Sequence, residues 1–89
     1  MAHVFFTQQL ARFTSLPQVE TDAVQLRAAL ESAFAANPKL RGYVLDDQGQ
    51  LRENVAIFVD GRHCADRQRL DDPLRPDSKV YVMQALSGG

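Results

Sequence analysis

Few side chains in this sequence can do chemistry, and their spacing defeats most of what they could do. Cys64 directly follows His63, which raises a thiolate nucleophile with a neighbouring base. Consecutive residues of a strand point to opposite faces, so the two side chains would not meet, and Cys64 reads as structural. His3 and His63 are the only histidines, and with one cysteine they give no zinc-ligand spacing. Ser15 and Ser87 lack the Gly-x-Ser-x-Gly elbow of a serine hydrolase. Asp46-Asp47 sits among turn formers, with too few oxygen ligands nearby for a metal. Asp71-Asp72 lies in a polar stretch, without the apolar surroundings a general acid needs. The only adjacent glycines are Gly88-Gly89, so there is no phosphate-cradling loop. What remains is the carboxylate after those glycines. Lacking Cβ atoms, Gly88 and Gly89 can enter a slot too narrow for any other residue. The six residues from Gln84 to Gly89 can span roughly 20 Å. The same residues also read as a frayed end or a linker remnant. Taken alone, they leave both readings open.

The totals narrow the classes. Eighty-nine residues make one domain with a small core. A net charge of −1 lacks the basic excess of a nucleic-acid or anionic-membrane binder, so neither is expected as a partner. One cysteine allows no internal disulfide, and Met1 to Phe6 has no basic region ahead of its short apolar run. No stretch approaches a membrane span, so a cytoplasmic setting is expected.

The elements that must position the terminus follow from the hydrophobic pattern. Val4 to Gln8 reads as an opening strand, with Val4 and Phe6 on one face and Phe5 and Thr7 on the other. Gln9 to Pro17 is a connector, and Gln18 to Thr21 a short second strand. Leu26, Ala29, Leu30, Ala33 and Phe34 recur at helical spacing and form one apolar stripe. Asp22 is the expected N-cap, with Gln25 completing a capping box. Asn37 is expected in the left-handed position past the last turn, with Pro38 as the stop. Gln25, Arg27, Glu31 and Ser32 would face solvent. Leu40 to Leu45 fits either a helical turn or an irregular approach. Asp46 to Gln50 then turns the chain back towards Leu51. Val55, Ile57 and Val59 alternate with Ala56 and Phe58 in the strongest strand. Asp60-Gly61 favours a tight hairpin into Arg62-His63-Cys64. Arg62 to Asp77 mixes four arginines with four aspartates and reads as a solvated loop. Lys79 to Gln84 closes the fold, with Val80 and Val82 facing one way and Tyr81 and Met83 the other. The order implies an α+β fold, one main helix lying across one face of a mixed sheet of four to five strands. Residues 1–83 would form the domain and 84–89 a flexible tail. Phe5, Phe58, Tyr81 and Met83 either share an exposed patch or pack beneath the Gln9–Pro17 and Asp66–Asp77 loops.

These residues resemble the ThiS/MoaD family of ubiquitin-like sulfur carriers. Val55-Ala56-Ile57-Phe58-Val59-Asp60-Gly61 is similar to that family's strand and turn. Gly49 to Arg52 precedes it as in longer MoaD-like members. Lys79 to Met83 and then Leu86-Ser87-Gly88-Gly89 match the last strand and diglycine. Pro76-Asp77-Ser78 stands where an Asp-Gly-Asp-type turn is common. Gln84 and Ala85 stand where small subunits of molybdopterin synthase carry prolines. The resemblance implies a β-grasp fold and a carrier that is not itself an enzyme and binds no cofactor. It implies that the Gly89 carboxylate is adenylated, with ATP used by a ThiF/MoeB-like adenylyltransferase, and converted to a thiocarboxylate. Gly88 would thread the partner's slot, and Phe58, Met83 and Leu86 would form the docking patch. A cysteine desulfurase or rhodanese would donate sulfur, and a downstream enzyme would accept it for a cofactor, cysteine or another metabolite. Two alternatives share the tail: a protein modifier forming isopeptide bonds through Gly89, and the small subunit of molybdopterin synthase. A small interaction domain with an incidental diglycine is a third.

Overall fold

The computed structural model describes residues 1–7 and 18–84. Five strands, β1 (Ala2–Phe6), β2 (Gln18–Thr21), β3 (Val55–Val59), β4 (Arg62–His63) and β5 (Lys79–Gln84), form one sheet in the order β2-β1-β5-β3-β4. Central β1 and β5 run parallel, and every other pairing is antiparallel. This is a β-grasp sheet. Its inner face is built by alternation: Val4 and Phe6, Val55, Ile57 and Val59, and Val80 and Val82 are all buried. At roughly 1.5–3 kcal/mol for each fully buried large side chain, that face is the main source of stability. β1 begins two residues ahead of its expected start, because Ala2 is buried and paired with Thr21.

Helix α1 (Leu26–Ala36) covers this face through the expected stripe of Leu26, Ala29, Leu30, Ala33 and Phe34. Its start differs from expectation. Asp22 does not cap it; Gln25 holds the cap position and makes no side-chain cap bond. The carbonyls of Asp72 and Leu70 instead accept the N–H groups of Leu26 and Arg27, at 2.9 and 2.8 Å. A distant loop thus satisfies donors that a local side chain was expected to serve. Asn37 has φ −139°, not a left-handed value, and Pro38 opens a second helix, α2 (Pro38–Val44), rather than ending helical structure. Proline fits there because the first helical residue needs no N–H partner. That settles the ambiguous Leu40 region: Leu40 and Val44 are buried on α2.

Arg27 is not solvated as its helical position suggested. Its Nη2 donates to the carbonyls of Gly49 and Gln68, and its Nε to that of Arg69. One guanidinium therefore joins α1, the 46–50 turn and the 66–70 loop. The Arg62–Asp77 segment likewise departs from a purely solvated loop, because Leu70 and Leu74 are buried in the core. The turn at Asp46 forms as expected, its Oδ1 accepting from the N–H groups of Gln48 and Gln50.

Candidate functional site

The candidate site comprises the outer sheet face and the end of β5. The Asp60-Gly61 hairpin comes first. Both residues have positive φ, 51° and 87°, the requirement of a two-residue turn matching strand twist. Gly61 adopts this freely, and aspartate is among the few other residues that tolerate it. Asp60 also ties the turn to β5. Its carboxylate accepts from the Lys79 N–H at 2.9 Å and the Ser78 hydroxyl at 2.8 Å. Its own N–H donates to Lys79 O. The Lys79 N–H, then the Ser78 hydroxyl, hold the Asp60 carboxyl below the usual carboxylate range, with Arg75 at 3.6 Å adding to the effect.

The hairpin sets the outer face. Phe5 pairs with Tyr81, Tyr81 with Phe58, and Phe58 with His63, placing four rings in one row across β1, β5, β3 and β4. Phe5 stacks on Tyr81 with centroids 4.9 Å apart, and His63 lies 4.2 Å from Phe58. Met83 sits one row nearer the tail, opposite Ala56. Phe58, Gly61, Tyr81 and Met83 line a shallow hollow of about 280 Å³. The structure thus brings Phe58 and Met83 together on the face away from α1, with Phe5 and Tyr81 beside them. Phe5, Phe58 and Met83 are half-buried, and Tyr81 is 39% exposed. The 66–74 loop does not cover them, since its Leu70 and Leu74 pack with the core on the other face. His63 was missed as a member of the row. A two-residue turn at Asp60-Gly61 necessarily sets residue 63 opposite residue 58, so hairpin register could have found it. His63 and Cys64 do part as expected: His63 is exposed and Cys64 buried. Burial, reinforced by the Asp72 charge, pushes the Cys64 thiol up, which keeps it protonated and unreactive.

Gln84, the last residue of β5, is still in the ladder opposite Val55, as expected of a closing strand from Lys79 to Gln84. The corner beside it is rigidly tied. β4 is only two residues long, leaving the outer edge of β3 unpaired at Val55. Arg67 Nη2 donates to the carbonyls of Val55 and Arg52, closing that edge and bracing the 52–55 turn. Leu86, Gly88 and Gly89 lie outside the described residues, as does the Gln9–Pro17 connector. A larger groove of about 580 Å³, lined by Asp60, Arg62, His63, Asp72 and Arg75 among others, opens near the start of β5, away from Gln84. Its carboxylates are already engaged, Asp60 as above and Asp72 by the Ala65 N–H. Among the described residues no cluster of His, Cys, Asp or Glu could hold a metal, and no helix is long and apolar enough to cross a membrane.

A β-grasp sheet whose central strand leads to a diglycine, with an aromatic row alongside, defines a ubiquitin-like small protein. The chain belongs to the ThiS family, whose model matches residues 4–89. It is a carrier or modifier, not an enzyme, and such carriers bind no cofactor themselves. Solved structures of the same fold include SAMP1 from Haloferax volcanii (21% identity, TM-score 0.81, covering 99% of this chain and 98% of that one). A chain of the Amycolatopsis orientalis BexX/CysO complex matches with 12% identity and TM-score 0.83 over 100% of both chains. Sulfolobus solfataricus Urm1 matches with 14% identity and TM-score 0.71, over 92% and 97%. No curated protein sequence matches significantly.

Proposed function

We propose that this protein is a sulfur carrier whose working group is the Gly89 carboxylate. The observation that carries the reading is the extent of the family match, which runs through the diglycine to Gly89. A carboxylate is a poor electrophile until one oxygen becomes a leaving group. Attack of that oxygen on the α-phosphorus of ATP expels pyrophosphate and leaves an acyl-adenylate. The terminal sulfur of a donor persulfide then attacks the acyl carbon and AMP departs; a thiol cleaves the resulting acyl disulfide, itself becoming a disulfide with the donor, so sulfur replaces oxygen. The nucleotide site belongs to a ThiF/MoeB-like adenylyltransferase, the sulfur to a desulfurase or rhodanese, and the final transfer to a sulfur-accepting enzyme. This chain supplies position: residues 85–89 as the tail, Gly88 to pass a narrow slot, and Phe58, Met83 and Leu86 to dock. The half-buried, apolar placement of Phe58 and Met83 around one hollow supports that docking role.

Intact mass after incubation with ATP, a sulfur donor and the activating enzyme tests the reading. Exchange of one oxygen for sulfur is expected, and Gly89→Ala or loss of Gly89 should abolish it while the fold persists. Normal sulfur loading of either variant would overturn it. A second reading, the protein modifier, is favoured by the fold shared with a protein described as small archaeal modifier protein 1. High-mass conjugates that vanish without Gly89 would select it. A molybdopterin-synthase small subunit is disfavoured by Gln84 and Ala85, where prolines are common.

A further inference from the structure

The arginines of this chain divide by what they do for the fold. Arg27 gives its fork to three carbonyls, and Arg67 bridges two. Arg52 donates to the Gly42 carbonyl, and Arg41 pairs with Glu31 and lies over the Phe34 ring. Arg62 and Arg75 differ. Both are exposed, and both line the groove of about 580 Å³ near the start of β5. Among the described residues the Arg62 side chain makes no hydrogen bond or ion pair. The Arg75 side chain lies 3.6 Å from Asp60, yet stays 74% exposed.

The carboxylates of the same groove are spent. Asp60 accepts from the Ser78 hydroxyl and the Lys79 N–H. Both oxygens of Asp72 lie 3.1 Å from the Ala65 nitrogen and share its N–H. Asp71 and Asp77, exposed in the neighbouring chain, do not line the groove. The charge still open to a ligand is therefore positive. Both walls are fixed before any ligand arrives. One is the hairpin that Asp60 ties to β5. The other is the 72–75 segment, where the Leu74 N–H donates to Val24 O at 2.8 Å and Asp72 O accepts the Leu26 N–H at 2.9 Å. Val59 and Leu74, core residues 8% and 7% exposed, supply an apolar floor. The volume falls in the range of about 300–1,000 Å³ usual for ligand sites, and a preformed site costs little to order.

Two uncommitted arginines above an apolar floor suit an acidic peptide. Its carboxylates would meet the guanidinium forks, and an apolar side chain between them would cover Val59 and Leu74. A simple anion would leave the floor wet, and an apolar peptide would desolvate the guanidinium groups without pairing them. We infer that this groove is a second docking site, which takes an acidic peptide segment of a partner protein. His63 lines the groove and also ends the aromatic row, so the two surfaces are continuous. β5 runs about 17 Å from Lys79 to Gln84, so the groove grips a partner well away from the tail. The inference does not depend on Gly89 being activated.

The test titrates the isotope-labelled full chain with acetyl-Glu-Leu-Glu-amide and follows the backbone amide shifts. Saturable shifts are expected at Arg62, His63, Ala65, Leu74 and Arg75. Acetyl-Gln-Leu-Gln-amide keeps the apolar side chain but lacks the charges, and should bind at least about tenfold more weakly. Acetyl-Glu-Gly-Glu-amide should also lose about tenfold, because it leaves the floor uncovered. Arg62→Gln and Arg75→Gln should each weaken the glutamate peptide at least about fivefold with little change in thermal midpoint. Were Arg75→Gln to unfold, Arg62→Gln would decide alone. Arg69→Gln, at an exposed arginine outside the groove, should bind as wild type does. Equal binding of the glutamine peptide, an equal effect of Arg69→Gln, or unchanged affinity in the Arg62→Gln variant would overturn the inference. So would inorganic phosphate giving the same shifts with the same affinity, which would make the groove an oxyanion site only. Failure of enzymatic sulfur loading would instead strike the proposed function and leave this titration standing.

Discussion

At the residue scale, Asp60 does most with least. Its backbone makes the turn, and its carboxylate takes the Ser78 hydroxyl and the Lys79 N–H. The carboxyl is held below its ordinary value in the fold, so its contribution is full above the unfolded value of about 3.9 and is lost as pH falls through that value to the folded one. Asp66, held down by the Arg69 and Gln68 N–H groups, acts in the same direction. Stability by urea denaturation should therefore be flat near neutrality and fall below about pH 4. Asp60→Asn keeps an acceptor and tolerates the turn, yet loses the charge. It should be less stable at neutral pH and show a shallower acid loss. An unchanged acid slope in this variant would show that other carboxylates dominate.

At the element scale, α1 depends on a loop that follows it by about forty residues in sequence, as the Arg27–Gln68 and Arg27–Arg69 bonds show. Arg27→Met leaves the Gly49, Gln68 and Arg69 carbonyls without their shared donor and should cost about 2–3 kcal/mol, read as a lower urea midpoint. Gly61→Ala meets nothing within 4 Å of the added Cβ, yet φ is +87° there. The cost should be about 1 kcal/mol, from backbone strain alone. These two positions mark what was legible in the sequence. The hairpin, the α1 stripe and the β5 alternation are local patterns, and all three formed as read. The α1 cap, the α2 start and the burial of Leu70 and Leu74 were not legible, because distant carbonyls and core space decide them. Leu70 even takes φ 53° to reach the core, a conformation no propensity favours for leucine. Of the outer face, Phe58 and Met83 were legible from strand alternation. His63 needed register, which becomes definite only once the turn length is known.

At the scale of the whole molecule, the two sheet faces separate labour. The inner face and α1 hold the fold, and the outer row is the face proposed here to dock a partner. Phe58→Asp and Met83→Asp should therefore lower the thermal midpoint much less than Ile57→Asp, because both side chains are half-buried and neither belongs to the buried core. Affinity for the activating enzyme should fall at least about tenfold, or 1.4 kcal/mol, in a titration at fixed salt. A large loss of stability with retained affinity would reverse the assignment of the faces.

The central place of β5 also has a mechanical meaning. The strand that leads to the tail is flanked by β1 on one side and β3 on the other. Ladder bonds run across the strands, so a pull along β5 loads both rows in shear together instead of opening them one by one. A partner of the proposed kind, drawing the tail into a cleft, would haul on the best-anchored strand of the sheet. Travel would then stop where β5 ends, at Gln84, and the domain would act as a stopper that fixes how deep the thread can go.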